Sequence, residues 1–457
     1  MQNRLGDCAF LSREYEKAIE YYEKALEPNG LPSDYSLYQT ALAQGLTFQQ
    51  RQKITTLQRL TDAYSGSSLV VPATFELGRT YVQMGAYSTA ESVFNTLILR
   101  EDAAQYLTKA IIELGLIQIN LKHPERALMF YKKVLEEYPN SPEVDNALAG
   151  IENIYQEQNN VQGYFDYIAR LGIDSGKSAD EKEQMLFNAG EQLFLNGSHN
   201  EALRSFRALL KEYPNGAKSI QAHFYIAESL RLSGKEEEAT DEYLTVMRMG
   251  SGSFAEQATL QYARISYRLE KYNQATTGYE SLSEIAILEN NKIEAEVGKS
   301  RSYFKEQNYE QSAAQAEKSL RITGLQQDII QELTYIEAKS LMALGVRDKA
   351  IELFQKLSQE IYSPIGAESA YLLIQDAYNA GDFDKAEERI YTLSDSDSPQ
   401  HYWIALSFII LGDIYADQNE PEQAMATYQS LLDEYKPKEP DNIHDLVHLR
   451  IEYIKNK

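Results

Sequence analysis

Residues 172–178 come nearest to a ligand-binding motif in this sequence. Gly172 and Gly176 precede Lys177 and Ser178, an order found in loops whose backbone amides hold phosphate groups. The two glycines are one residue too close for that motif, and no strand pattern precedes them. We therefore predict a solvated loop here.

His444 and His448 are four residues apart, so a helix would place both imidazoles on one face, where they could hold zinc. No third ligand is predictable nearby, and four other histidines are scattered along the chain: His123, His199, His223 and His401. Surface histidines are the expectation.

No set of residues indicates catalysis. Carboxylates occur throughout the chain, so no acid–base pair stands out, and neither a Gly-x-Ser-x-Gly elbow nor a Cys/His spacing suggests a nucleophile. We predict that the protein is not an enzyme, with no catalytic residue, metal, cofactor or small-molecule substrate.

Charge and composition restrict the class of partner. The chain has 457 residues and a formal net charge of -24, which disfavours nucleic-acid binding because the phosphate backbone requires a basic surface. No apolar run is long enough to cross a membrane, so direct membrane insertion is not expected. The single cysteine, Cys8, excludes an internal disulfide, and we predict a buried apolar role for it.

A repeat dominates the sequence. Residues 126–140 and 201–215 share the order alanine, aromatic, aliphatic and then Tyr-Pro-Asn. The alanine position recurs 35 to 40 residues apart along the chain. Its twelve members are Ala18, Lys53, Ala90, Ala127, Gln162, Ala202, Ala239, Ala275, Ser312, Ala350, Ala386 and Ala424.

A second series, mostly of small residues, lies twelve positions before the first. Its members are Gly6, Ala41, Gly78, Gly115, Gly150, Gly190, Ala227, Ala263, Ser300, Ala338, Ile374 and Gly412. Two antiparallel helices can cross closely only where side chains are small. Large residues follow the alanine position at helical spacings of four and seven, so each period predicts one helical hairpin.

The order of small, aromatic and aliphatic residues, with Pro after the second helix, resembles the tetratricopeptide repeat. This resemblance covers essentially the whole chain and implies an all-α, right-handed superhelix of about twelve helix-turn-helix repeats. The overall texture is also similar to large Bacteroidetes envelope repeat proteins and the periplasmic Tol–Pal coordinator. That similarity implies a periplasmic or outer-membrane-associated protein, with the cytoplasm as the alternative.

Irregular repeats indicate where the array could divide. We predict repeats 1–5 in residues 1–160, with the first truncated, and repeats 6–12 in residues 184–436. Residues 161–183 contain a ragged repeat and a long polar loop, which could be a hinge or simply an insertion in an unbroken solenoid. Residues 437–457 are expected to form a capping helix.

In the tetratricopeptide family the first helices line the binding groove. By that resemblance the partner-binding residues are Arg231, Arg264, Tyr267, Arg268, Arg301 and Phe304. Arginine can clamp a carboxylate with two hydrogen bonds, so they could bind an acidic segment or a chain terminus. Alternatively, the arginines pair with Glu228, Glu270, Glu296 or other neighbours.

The predicted function is a protein–protein interaction scaffold or adaptor that holds partner peptide segments in the groove. The alternative is a structural component that couples or assembles bacterial cell-envelope complexes.

Overall fold

A computed structural model describes residues 1–25, 32–250 and 252–456. Within these ranges the chain forms 25 α-helices and two short 3-10 segments, with no β-strand. The helices divide between two compact units, Met1–Lys218 and Ser219–Lys457. The prediction of an all-α protein is confirmed.

Twelve helices lie in the first unit, and each odd-numbered helix packs against the next to form a hairpin. They are α1 (Gln2–Leu11), α2 (Tyr15–Glu23), α3 (Asp34–Leu46), α4 (Gln50–Ala63), α5 (Val70–Gln83), α6 (Tyr87–Ile98), α7 (Ala104–Asn120), α8 (Pro124–Glu137), α9 (Val144–Glu157), α10 (Val161–Arg170), α11 (Ala179–Leu195) and α12 (His199–Glu212).

The second unit continues the same pairing and ends with an additional helix. Its helices are α13 (Ser219–Leu232), α14 (Glu236–Met249), α15 (Ser253–Arg268), α16 (Tyr272–Ile285), α17 (Glu289–Lys305), α18 (Tyr309–Ser319), α19 (Gln327–Ala343), α20 (Arg347–Leu357), α21 (Pro364–Asn379), α22 (Phe383–Ser394), α23 (His401–Asp417), α24 (Pro421–Glu434) and α25 (Ile443–Lys455).

Small residues form the helix crossings, as the period predicted. Ala18, Ala90, Ala202 and Ala424 are all 0% exposed. A methyl group added to Gly78 would lie 2.6 Å from the ring of Phe94 on the partner helix, closer than van der Waals contact permits. The glycine therefore allows the aromatic ring to lie against the backbone of the first helix.

The fifth hairpin corrects the predicted register. The small residue is normally the fourth of the second helix, and α10 begins at Val161 after the cap Asn160, so its fourth residue is Tyr164. Gln162 and its partner Gly150 were thus assigned two positions too early. Counted from Tyr164, the neighbouring spacings are 37 and 38 residues, and the apparent gap of 40 disappears.

A tyrosine fits at position 164 because the carboxylate of Glu152 accepts a hydrogen bond from its hydroxyl. Tyr164 is only 3% exposed. Burial and the nearby carboxylate of Glu152, twelve residues earlier, raise the pKa of this tyrosine to about 12. Glu152 also pairs with Lys177 at 3.0 Å. A polar contact here replaces the usual contact between two small residues.

Two other predictions can be located in the first unit. Residues 161–183 comprise α10, an irregular segment and the start of α11. Ser178 and Glu181 cap the first turn of α11 through reciprocal hydrogen bonds. The hinge stays a prediction. Cys8 is exposed, so the predicted buried role is wrong: Gly6 and Ala9 fill the buried positions of α1.

No helix among the described residues has both the length and the apolar character needed to span a bilayer.

Candidate protein-binding surface

The first helices of the second unit present three rows of side chains, one, four and five positions after each small residue. We call this surface, on α15, α17, α19, α21 and α23, the first-helix surface. These spacings keep the rows on one helical face. The +1 row is Arg264, Arg301, Lys339, Gln375 and Asp413; the +4 row is Tyr267, Phe304, Met342, Tyr378 and Ala416; the +5 row is Arg268, Lys305, Ala343, Asn379 and Asp417.

Two cavities show that these rows meet in space. One, of about 340 Å³, is lined by residues of α17, α19 and α21, including Phe304, Met342 and Asn379. The other, of about 410 Å³, joins α21, α23 and α25 and includes Tyr378 and Asp417. The rows thus line recesses that cross from one hairpin to the next.

The +4 row is half-buried and apolar. Each of three rings packs against the first residue of the following helix: Tyr267 against Tyr272 at 5.4 Å, Phe304 against Tyr309 at 6.2 Å, and Tyr378 against Phe383 at 5.9 Å. These contacts hold the rings, which remain half-buried, an arrangement suited to binding another apolar group.

Ion pairs connect successive first helices. Arg264 binds Glu294 through two hydrogen bonds. Arg301 binds Glu332 in the same way at 2.7 and 2.5 Å. In both pairs the arginine follows a small residue directly, and the glutamate lies six positions before the small residue of the next hairpin.

The same spacing continues with Lys339, whose ammonium lies 3.5 Å from Glu368. Glu368 also accepts a hydrogen bond from the hydroxyl of Tyr335. The three pairs therefore link α15, α17, α19 and α21 in sequence.

Each predicted groove arginine has an internal partner. Besides the pairs of Arg264 and Arg301, Arg231 binds Glu228 at 2.6 Å on its own helix, and Arg268 binds Glu236 at 2.6 Å. Of the three glutamates suggested as alternatives, Glu228 is used by an arginine of this set, whereas Glu270 and Glu296 are not. Neighbouring carboxylates thus balance the predicted positive patch.

Four segments of the chain match models of a known repeat family. Family models described as "Tetratricopeptide repeat" match residues 109–141 and 184–216, 371–439, and 1–27. These four segments are similar to tetratricopeptide repeats. The TPR repeat-containing protein YpiA of Bacillus subtilis is 22% identical over 329 residues, 70% of each chain.

Two solved structures are similar to this chain. A tetratricopeptide repeat protein from Parabacteroides merdae is 18% identical with a TM-score of 0.33, over 58% of this chain and 98% of that one. Yeast Tom70 is 13% identical with a TM-score of 0.32, over 100% and 95%. The helices described above are consistent with an all-α solenoid of tetratricopeptide repeats.

A polar pairing inside three helical hairpins was missed in the sequence. In these three hairpins an acidic residue directly follows the small residue, and a tyrosine fifteen positions later donates its hydroxyl to that acid. Asp7 accepts from Tyr22 at 2.8 Å, Asp413 accepts from Tyr428 at 2.6 Å, and Glu228 accepts from Tyr243. The spacing of acid and tyrosine is the signal that could have revealed it.

The two motifs considered first have local roles in the repeat array. Lys177 pairs with Glu152, and Ser178 caps α11. His444 lies 3.2 Å from the backbone oxygen of Tyr435, while His448 is exposed. Within the described ranges, no group of three or more metal-ligating residues is assembled.

Proposed function

We propose that this protein is a scaffold that binds a segment of a partner protein across the first-helix surface of the second unit. Tetratricopeptide repeats generally mediate protein–protein interactions, and they typically do so without catalysis. The observation that carries the proposal is the half-buried apolar +4 row beside two cavities that cross between hairpins.

The chemistry of the surface favours apolar anchors on the partner. An apolar side chain that enters the cavity beside Phe304 and Met342 would gain about 25 cal/mol for each Å² of apolar area removed from water. Gln375 and Asn379 line the same cavity, and their amides can donate to and accept from a peptide backbone.

The arginines have a secondary role in this proposal. Their own glutamates already balance their charge, and exposed ion pairs contribute only about 0–1 kcal/mol each. An acidic partner therefore gains little from displacing Glu294 or Glu332. We assign most of the affinity to the +4 row and leave selection among charged partners to the arginines.

Filling the cavity tests the proposal. Ala343 is exposed and lines the cavity beside Phe304, so Ala343→Trp would block it without entering the core. Ala314 is an exposed alanine on α18, a second helix, and Ala314→Trp is the matched control.

Affinity capture from the native cell should lose its specific partners with Ala343→Trp and retain them with Ala314→Trp. If both variants recover the wild-type set in equal amounts, the first-helix surface is not the binding surface. Circular dichroism of both variants establishes that the helices remain folded.

The setting of this function is also a proposal. We propose a periplasmic or outer-membrane-associated protein that contributes to bacterial envelope complexes, on the sequence resemblance alone. Fractionation of the native cell tests it, and recovery in the cytoplasmic fraction would contradict it.

A further inference from the structure

The +1 and +5 rows change charge in a fixed direction along the first-helix surface. At α15 and α17 all four positions are basic: Arg264, Arg268, Arg301 and Lys305. At α19 and α21 only one of the four is charged: Lys339, Ala343, Gln375 and Asn379. At α23 both are acidic: Asp413 and Asp417.

Ion pairs within the chain reduce this change of charge along the surface but do not reverse its direction. Glu294, Glu236, Glu332 and Glu368 balance Arg264, Arg268, Arg301 and Lys339, and Arg450 balances Asp413 at 2.9 Å. The charges that remain are those of Lys305 on α17 and Asp417 on α23. Both side chains are exposed, and Asp417 accepts one hydrogen bond from a neutral donor, Tyr378, at 2.8 Å.

The paired arginines keep donors for a ligand. Arg264 and Arg301 bind their glutamates through Nε and Nη2. A guanidinium has five N–H donors, so the Nη1 hydrogens of each can still reach a carboxylate on a ligand. Arg264 is also 45% exposed.

The apolar +4 row connects the two charged ends. The cavity beside Phe304 and Met342 lies over α17, α19 and α21, and the cavity beside Asp417 lies over α21, α23 and α25. A segment that follows this row would therefore meet basic side chains first, the recess beside Phe304 and Met342 next, and acidic side chains last.

We propose that the first-helix surface selects a bipolar protein segment, acidic at the α15–α17 end, apolar in the middle and basic at the α23 end, and that it binds this segment in one orientation. The inference rests on the proposed function and adds the chemistry of the partner. Complementary charge at both ends contributes to specificity and orientation more than to affinity.

Synthetic peptides provide the probe. Three peptides of equal length share one leucine- and phenylalanine-containing centre and differ in their flanks: acidic and basic, both acidic, or both basic. Fluorescence anisotropy with the intact chain should give an affinity for the bipolar peptide about tenfold above either uniform peptide, a difference of about 1.4 kcal/mol. The preference should shrink in high salt.

Single charge reversals localise the effect. Lys305→Glu and Asp417→Lys each alter one exposed side chain and should each weaken binding of the bipolar peptide by a few fold. Glu388 is an exposed glutamate on α22, a second helix, so Glu388→Lys is the control and should change nothing.

Orientation is read by photo-crosslinking. A crosslinker on the acidic end of the bipolar peptide should label α15 or α17, and one on the basic end should label α23. Labelling of α23 from the acidic end overturns the inference.

Equal affinities for the three peptides would overturn the bipolar preference. If the three peptides bind equally and Ala343→Trp abolishes their binding, the proposed function stands but the bipolar preference does not. If none of the peptides binds, the bipolar inference falls and the capture experiment alone decides the proposed function.

Discussion

The hairpins α5–α6 and α17–α18 have the same repeat geometry but opposite interiors. In α5–α6, Gly78 and Ala90 form the helix crossing, and Phe94 and Leu97 fill the interior at 0% exposure. The corresponding residues of α17–α18 are Ser300, Ser312, Ala316 and Ser319, all 0% exposed. The close helix crossing is common to both, whereas the large apolar residue is not.

A largely buried carboxylate, with a side chain 14% exposed, organises the polar groups of α17–α18. Glu296 accepts hydrogen bonds from Lys299 at 2.7 Å, Ser283 at 2.5 Å and Gln315 at 2.7 Å, and it pairs with Lys318 at 2.9 Å. The feature that these two hairpins share is the pair of small residues at the crossing. The interior can be either apolar or polar, provided that the polar groups have partners.

Truncation of the aromatic ring should have the largest effect on this comparison. Phe94→Ala removes a fully buried ring, and the cavity should lower the free energy of unfolding of the surrounding hairpins by about 3–5 kcal/mol. Hydrogen exchange of α5 and α6 in denaturant measures it. Ala316→Gly at the matching position should cost about 1 kcal/mol, and equal losses would contradict the contrast.

Removal of the carboxylate should have the next largest effect. Glu296→Ala leaves the buried ammonium of Lys299, whose side chain is 10% exposed, without its main partner. Hydrogen bonds to charged groups contribute about 1.5–3 kcal/mol, so the hydrogen-exchange protection of α17 and α18 should fall by that amount. Glu296→Gln keeps acceptor capacity and should lose less; a loss as large as that of Glu296→Ala would contradict this and assign the whole effect to the charge.

The third largest effect is expected from adding a methyl group at the helix crossing of α5–α6. Gly78→Ala should cost about 1–3 kcal/mol because the new Cβ would press on the ring of Phe94, as chemical denaturation would show. Gly66 has no neighbour within 4 Å of an added Cβ, so Gly66→Ala is the control. If the two variants unfold alike, close packing at the crossing is not what the glycine provides.

The smallest expected effect is a difference in acid sensitivity between the polar interior of α17–α18 and the apolar interior of α5–α6. Burial alone would raise the pKa of Glu296, but hydrogen bonds from Lys299, Ser283, Lys318 and Gln315 outweigh it and lower the pKa to about 2. Its stabilisation is therefore complete above the ordinary value of about 4.5 and is lost as the pH falls toward 2. Between about pH 5 and pH 3, the protection factors of α17 and α18, taken relative to the intrinsic exchange rate at each pH, should fall more than those of α5 and α6; an equal fall would contradict this assignment.

The sequence was sufficient for the fold because the crossings depend on residue size, which a pattern of glycine and alanine reports directly. The predicted register of the fifth hairpin was wrong because Tyr164 occupies the position that is usually small, and Glu152 accepts a hydrogen bond from its hydroxyl. A search for small residues cannot detect that exchange.

The candidate surface was predictable only in part. The positions of Arg264, Arg301 and Phe304 follow from the period, and the structure places them in the +1 and +4 rows. The partners Glu294 and Glu332 lie on the next hairpin, so their choice depends on how neighbouring helices are stacked. The cavities depend on the same stacking, and this is why Met342 and Asn379 were missed.

Site-specific crosslinking in the native cell tests the binding surface most directly. With Cys8, the only cysteine, replaced by serine, one new cysteine is introduced at Asn379 on the first-helix surface or at Ala314 on α18, and each carries a photo-crosslinker. Our account predicts covalent adducts with a partner protein from position 379 and none from position 314. Adducts from 314 alone, or the same adducts from both positions, would contradict it.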